Sequence, residues 1–271
     1  MLPVLFHLNR FPVGTHDFFV LLGVAAATAI YFYEARRRRM LHEQTIWIAI
    51  GALACGALAA RLSTAWQYLA VAPQPSLLGV LEQGGKSILG GLAGAYAGAL
   101  LVKWLVGYRE RTGDLFAPAI ALGMAIGRWG CFLTEQIGTP TTLPWGISVG
   151  KQVAAHIPNC PQCANGVKMH PSFLYEIVFH ACMFGWLWWL RPRVTVKGEL
   201  LKIYLLAYAL FRFAVEFVRG NLEAWAGLSR SQLFLIPSTL LLLAYFWRQW
   251  RRDVYRIPSL EGSPPRRAGQ T

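Results

Sequence analysis

Long apolar runs alternate with short polar stretches along the chain. A membrane-spanning helix needs about 20 mostly apolar residues, and seven of these runs approach that length. The third run is rich in Gly and Ala, and the fourth contains Pro118, so these two patterns are the weakest. The sequence predicts an all-α, polytopic membrane protein with spanning helices at about 17–34, 45–62, 87–106, 115–133, 173–190, 199–218 and 231–248.

Small residues recur on the third run at a spacing that suits close helix packing. They are Gly90, Gly91, Gly94 and Gly98. Without side chains at these positions, a neighbouring helix can approach the backbone closely. We therefore predict a helix–helix interface along this face.

Composition supports the membrane assignment. Of the 271 residues, 55% are hydrophobic and only 14% are charged, whereas a soluble domain carries about 25% charged residues. The net charge of +13 would suggest a nucleic-acid partner in a soluble protein, but here the basic residues lie between apolar runs. Such residues set topology next to anionic lipid, and we expect no nucleic-acid partner.

Basic residues concentrate in the segments that follow the first, third, fifth and seventh runs. They are Arg36 to Arg39, then Arg109 and Arg111, then Arg191, Arg193 and Lys197, and finally Arg248, Arg251, Arg252 and Arg256. The positive-inside rule then places the N-terminus outside and the C-terminus in the cytoplasm. No cleavable signal peptide is evident.

Residues 1–257 are expected to form one seven-span domain. Its longest outer segment, at about 134–172, is rich in Pro and Gly, which favour turns and short extended pieces over helix. The tail at 258–271 is expected to be disordered and cytoplasmic.

Arg128 closes the fourth apolar run. A guanidinium at the edge of a membrane-length segment is costly unless it has a partner. That partner could be a carboxylate or the phosphate of a lipid. Glu135, further along the same string, is a possible local counter-ion.

The sixth run carries polar residues every four positions: Tyr204, Tyr208, Arg212 and Glu216. This spacing places them on one helix face, and Arg219 lies near that face one turn further on. Charges inside a span face a cavity or each other. Either Arg212 and Glu216 only neutralise each other, or the face lines a polar cavity that holds an anionic ligand.

The string from His170 to Glu176 ends the outer segment. Ser172 could cap the fifth helix, which would explain much of this string without a catalytic role. It would leave His170 unexplained, as either a structural or a catalytic residue. Near the third helix, Lys86 follows two glycines but lacks the spacing of a P-loop, so it could meet a phosphate or extend to the membrane interface.

Cys160 and Cys163 form a CxxC in the outer segment. A single pair is weak support for zinc, although His156 and His170 flank it. A disulfide that closes the loop is the favoured interpretation in an oxidising compartment. We predict no metal site and no cofactor.

Four blocks, in order, resemble the prolipoprotein diacylglyceryl transferase family. The first is Gly-Arg-Trp-Gly-Cys-Phe from Gly127, which is similar to the family's Gly-Arg-x-Gly-Asn-Phe. The others are Gly138 to Gly146, His170-Pro-Ser-Phe-Leu-Tyr-Glu176, and the Tyr-x-x-x-Arg-x-x-x-Glu-Phe-x-Arg pattern from Tyr208 to Arg219. The family also shares the seven-span, N-out arrangement.

The resemblance implies transfer of diacylglycerol from phosphatidylglycerol to the lipobox cysteine of a prolipoprotein. It further implies a multi-pass protein of the bacterial plasma (inner) membrane, which we expect to be a monomer that contacts the acceptor's signal-peptide region. On this basis the predicted catalytic residues are Tyr208, Arg212 and His170. The predicted substrate-binding residues are Arg128, Glu135, Lys86, Glu216 and Arg219.

The chain departs from the family pattern at three positions. Leu89 stands where the family has a His, Cys131 replaces the signature Asn, and Phe173 replaces a Gln. These changes suggest a divergent member, with another acceptor or with His170 as a replacement base. A catalytically divergent, lipid-binding protein of the same fold is the alternative. An ion transporter is a third interpretation, but the broken helices and repeats typical of such folds are missing.

Overall fold

Seven long helices dominate the computed structural model, which describes residues 4–8, 11–65, 69, 76, 79, 87–135, 138–148, 166–194, 196–221 and 223–252. The helices are α1 (Thr15–Arg37), α2 (Glu43–Leu62), α3 (Ile88–Leu105), α4 (Gly113–Thr134), α5 (Ser172–Leu190), α6 (Glu199–Glu216) and α7 (Arg230–Arg251). Each coincides with a predicted run, so the mostly helical fold is confirmed. Pro118 lies inside α4 without ending it.

Five helices, α1 to α5, are long and apolar enough to cross a membrane. Helix α6 falls outside this group because charged side chains interrupt it, at Glu199, Lys202, Arg212 and Glu216. The described residues therefore contain five candidate membrane spans.

Three two-stranded antiparallel sheets lie among the described residues. Strands β1 (Val4–Leu8) and β2 (Phe11–Gly14) lead into α1. Strands β3 (Ile147–Ser148) and β4 (Lys168–Met169) lie in the outer segment, and β5 (Glu223–Trp225) and β6 (Leu228–Ser229) lead into α7. The β3–β4 pair agrees with the predicted short extended pieces.

Glycines let the helices pack in close pairs. Helix α2 lies along α3, where a Cβ on Gly98 would come within 2.6 Å of the Gly51 carbonyl oxygen. This confirms the predicted glycine interface. Helix α1 lies along α4 in the same way, because a Cβ on Gly23 would meet the Gly123 carbonyl oxygen at 2.6 Å.

Helices α4, α5 and α6 enclose the main apolar core. Its buried residues are Ala117, Ala121, Met183, Leu187, Leu200, Leu201 and Tyr204. Below this core, the Asp114 carboxylate accepts hydrogen bonds from the backbone N–H groups of Gly198 (2.9 Å) and Leu200 (3.1 Å). Asp114 thereby satisfies free donors at the start of α6 and fixes that helix against α4.

Candidate functional site

A buried carboxylate joins two arginines where the end of α4 meets the start of α5. Arg128, on α4, forms an ion pair with Glu176, on the first turns of α5. The other carboxylate oxygen of Glu176 accepts a hydrogen bond from Arg219 Nη1 at 2.6 Å. Glu176 is fully buried and Arg128 is 3% exposed. The partner of Arg128 is therefore a carboxylate from another helix.

Phe173 provides an aromatic wall for the same two cations. Its ring centroid lies 5.7 Å from the Arg128 guanidinium carbon and 4.5 Å from that of Arg219. Arginine is attracted to the negative face of an aromatic ring at such distances. The residue that replaces the family's Gln thus contacts both arginines of the cluster.

The polar face of α6 is buried, as its spacing predicted. Tyr204, Tyr208, Arg212 and Glu216 are each no more than 6% exposed. Arg212 and Glu216 form an ion pair with each other. The second oxygen of Glu216 accepts hydrogen bonds from Ser229 Oγ (2.6 Å) and Asn221 Nδ2 (2.7 Å). This pair therefore also connects α6 to the start of α7.

His180 lies between the two tyrosines of α6. Its Nδ1 is 3.0 Å from the Tyr204 hydroxyl, and its ring centroid is 4.9 Å from that of Tyr208. The Tyr208 hydroxyl is buried and makes no hydrogen bond of good geometry among the described residues, although the Arg128 guanidinium is its close neighbour. It lies within the electrostatic influence of Glu176 and Arg128. A buried hydroxyl without a partner is costly, so a ligand atom at this position would stabilise it.

The cluster carries an excess of positive charge. Three buried or nearly buried guanidinium groups, those of Arg128, Arg212 and Arg219, are paired with only two carboxylates, Glu176 and Glu216. The Nε of Arg128 is buried without a hydrogen-bond partner in the described part of the chain. Such a surplus of cationic donors can bind an anion such as a phosphodiester.

His170 lies outside this cluster, at the edge of the outer segment. Its Nδ1 is 3.2 Å from the Tyr175 hydroxyl, which accepts a hydrogen bond from Trp145 Nε1 at 2.9 Å. An apolar groove of about 490 Å³ borders this chain of hydrogen bonds. Its lining residues are Trp145, Pro171, Leu174, Tyr175, Val178, Phe179 and Phe211.

Glu135 lies near His16 of α1, and no ion pair between Glu135 and Arg128 is found among the described residues. Its carboxylate is 3.7 Å from His16 Nε2. Glu176, and not Glu135, is thus the carboxylate that contacts Arg128. Ser172 is the first residue of α5 and not its cap, since Pro171 takes the capping position. Lys86, Cys160 and Cys163 lie outside the described residues.

Two central residues were not predicted from the sequence. They are Glu176, whose place in the first turns of α5 is also explained by a favourable helix start, and His180. A signal for both exists on α5, where Phe173, Glu176, Ile177 and His180 recur at the spacing of one helix face. All four are buried. A polar pair inside such a buried stripe indicates a polar contact across the helix interface.

Comparison with known proteins gives a consistent result. Residues 3–248 match the family model described as prolipoprotein diacylglyceryl transferase. A phosphatidylglycerol–prolipoprotein diacylglyceryl transferase of Trichormus variabilis is 30% identical over 97% of this chain and 94% of its own length. The same-named protein of Gloeobacter violaceus is 31% identical over 93% of this chain and 94% of its length. That of Bordetella parapertussis is 35% identical over 59% of this chain and 60% of its length.

Proposed function

Since the chain belongs to the prolipoprotein diacylglyceryl transferase family, we propose that it transfers a diacylglyceryl group from phosphatidylglycerol to the lipobox cysteine of a prolipoprotein. The acceptor sulfur bonds to the glyceryl carbon next to the phosphate. The carbon–oxygen bond to the phosphate breaks, and glycerol phosphate leaves with that electron pair. The thiol proton passes to a base.

The arginine cluster carries this proposal. Arg128 and Arg219 would bind the phosphate of the donor, and the surplus charge would stabilise the negative charge that develops on the leaving group. Because Glu176 positions both guanidinium groups before the donor binds, these cations need little movement when that charge appears. Arg212, which forms an ion pair with Glu216, would add its positive charge to that of Arg128 and Arg219.

Tyr208 is assigned to the reacting end of the lipid. Its unpartnered hydroxyl lies beside Arg128 and Glu176, so it can donate a hydrogen bond to a phosphate oxygen. This donor would act together with the arginines on the leaving group. Lys86 is kept as a further proposed contact to the headgroup, and Glu135 as a proposed binding residue on the outer side.

His170 is the proposed proton acceptor for the incoming thiol. It is half-buried and held by Tyr175 at the border of the apolar groove. Such a groove suits an acyl chain or the apolar part of a signal peptide. A neutral imidazole next to this groove would take the thiol proton as the sulfur attacks.

We also propose a seven-span topology in the bacterial inner membrane, with the N-terminus outside. The basic segments after α1, α3 and α5 support this because they meet at one end of the bundle. Arg38 contacts Asp114 at 3.4 Å, and Arg111 donates to the Lys197 carbonyl oxygen at 3.2 Å. A single cationic end is the pattern that the positive-inside rule requires. The chain is proposed to act as a monomer, with 258–271 as a disordered cytoplasmic tail.

The test is a transfer assay in proteoliposomes that contain phosphatidylglycerol and a lipobox peptide. Arg128→Ala and Arg212→Ala are expected to abolish lipidation of the peptide, as measured by mass spectrometry. Arg109→Ala, at an exposed loop position, is the matched control and should retain it. Full activity in both cluster variants would reject the assignment. A wild-type protein that retains phosphatidylglycerol without transferring it would instead support a lipid-binding role.

A further inference from the structure

A second cluster of polar side chains lies at the junction of α1 and α4. We propose that His16, Cys131 and Glu135 bind one divalent transition-metal ion of the Zn²⁺ class. The ligand atoms of these three residues all lie within 4.8 Å of one another. His16 Nε2 and Glu135 Oε1 are 3.7 Å apart. Zinc ligands at about 2.0–2.3 Å in a tetrahedron are themselves separated by about 3.3–3.8 Å, so small side-chain rotations complete the site.

The fold brings these residues together through backbone contact. Cys131 lies in the last turn of α4, and Glu135 follows that helix directly, with its N–H donating to the Cys131 carbonyl oxygen at 2.8 Å. Gly130, next to Cys131, lets the start of α1 approach, since a Cβ there would lie 2.9 Å from the His16 carbonyl oxygen. This contact is the reason that His16 reaches the other two ligands.

The donor set indicates the class of metal. One imidazole nitrogen, one sulfur and one carboxylate oxygen form a mixed set that suits zinc and disfavours the oxygen-seeking Mg²⁺ and Ca²⁺. Three protein ligands with an open fourth position are typical of zinc sites that bind a further ligand. Cys131, the residue that replaces the family's Asn, supplies the sulfur, so the site is specific to chains with this substitution.

Two neighbouring groups contact the proposed metal ligands. His16 Nδ1 lies 3.4 Å from the Asp17 carboxylate, which favours the tautomer with the proton on Nδ1 and leaves Nε2 free to bind. Such a carboxylate partner is a common second contact of zinc-bound histidine. On the other side, Arg128 Nη1 donates a hydrogen bond to Cys131 Sγ at 3.8 Å, so the sulfur faces a cationic group.

The site is also open to the outside of the bundle. The Cys131 sulfur is buried, whereas the side chains of His16 and Glu135 are 27% and 44% exposed. A metal ion can therefore enter from the exposed side and meet the sulfur last. An ion pair between His16 and Glu135 alone would explain their proximity, but it would not use the sulfur that lies within 4.8 Å of both.

The first experiment measures the metal content of purified protein by mass spectrometry. The protein is isolated without a histidine tag, and Cys160 and Cys163 are replaced by serine so that the CxxC cannot bind metal. We expect about one Zn²⁺ per chain after incubation with zinc and removal of excess. Cys131→Ser and His16→Gln should each lose it, whereas Cys182→Ser and His7→Gln, the matched controls, should retain it. Metal content that Cys131→Ser leaves unchanged would overturn the proposal.

The second experiment does not depend on the folding of the Cys131 variants. All other cysteines (Cys55, Cys160, Cys163 and Cys182) are replaced, so that Cys131 is the single sulfur ligand available. Titration with Co²⁺ should then give a thiolate-to-cobalt charge-transfer band together with the visible bands of a tetrahedral site. Zinc should displace the cobalt and remove both signals. A titration without the charge-transfer band would reject the assignment of Cys131 as a ligand.

Discussion

At the scale of single residues, Glu176 is the group on which the site depends. It forms ion pairs with both Arg128 and Arg219 and is fully buried. A buried charge that loses its partner destabilises a protein strongly, because it can no longer be solvated by water. The role of Glu176 is therefore both structural and electrostatic.

The change Glu176→Gln preserves the shape of the side chain and removes its charge. We expect it to lower the free energy of unfolding by about 3–5 kcal/mol, since two guanidinium groups are left without compensation. Denaturant titration in detergent micelles measures this effect. Glu223→Gln, at an exposed position of β5, should change stability little. Equal stabilities of the two variants would contradict the shared role of Glu176.

Substitutions of Tyr204 and Tyr208 are expected to differ, one lowering stability and the other lowering the transfer rate. Tyr208→Phe removes a hydroxyl without a partner in the described structure, so stability should hold while the transfer rate falls about 10- to 100-fold, the effect of one hydrogen bond to a charged group. Tyr204→Phe removes the hydrogen bond to His180 and should cost about 1 kcal/mol of stability. Initial rates and thermal unfolding of both variants test this. If Tyr208→Phe lowered stability and Tyr204→Phe lowered the transfer rate, both assignments would be wrong.

At the scale of elements, all seven helices could be predicted from hydrophobic periodicity and length. The face of α6 could also be predicted, because four polar residues share one spacing. The residues that these polar side chains contact could not be predicted in this way. Periodicity identifies the buried face of a helix, but the contact of Arg128 with Glu176 depends on how α4 and α5 pack. The approach of His16 to Cys131 likewise depends on glycines in two helices that are distant in sequence.

The α2–α3 interface gives a prediction at this scale. A Cβ on Gly94 would lie 2.2 Å from the Ala59 Cβ and 2.7 Å from the Cys55 carbonyl oxygen, so Gly94→Ala forces the helices apart. We expect a loss of about 1–3 kcal/mol, the usual cost of overpacking. Gly91→Ala, whose new Cβ would have ordinary contact at 3.4 Å, is the control. Thermal unfolding of the two variants should differ, and equal midpoints would contradict the close packing.

At the scale of the whole molecule, the basic loop residues concentrate at one end of the bundle, here called the cationic end. At the cationic end, Glu34 is buried and paired with Arg37 at 2.7 Å and Arg191 at 2.5 Å, which ties α1 to α5. At the other end, Thr139 donates to the Val218 carbonyl oxygen at 3.0 Å, which joins the outer segment to the end of α6. The arginine cluster lies near this second end.

Reporter fusions test the orientation that follows from this separation. Alkaline phosphatase, which folds only outside the cytoplasm, should be active when fused after Gly166 and inactive after Arg109 or Arg193. Fusions of green fluorescent protein at the same positions should give the opposite pattern. Active phosphatase after Arg109 would reverse the proposed topology.

The sharing of Glu176 between two arginines has a consequence for turnover. If the donor phosphate binds Arg128 and Arg219 as proposed, it competes with a carboxylate that the protein already holds between them. Net affinity for the headgroup is then the difference between two similar attractions and stays modest. After glycerol phosphate is cleaved off, the same carboxylate would compete with it for the two cations and so favour its release.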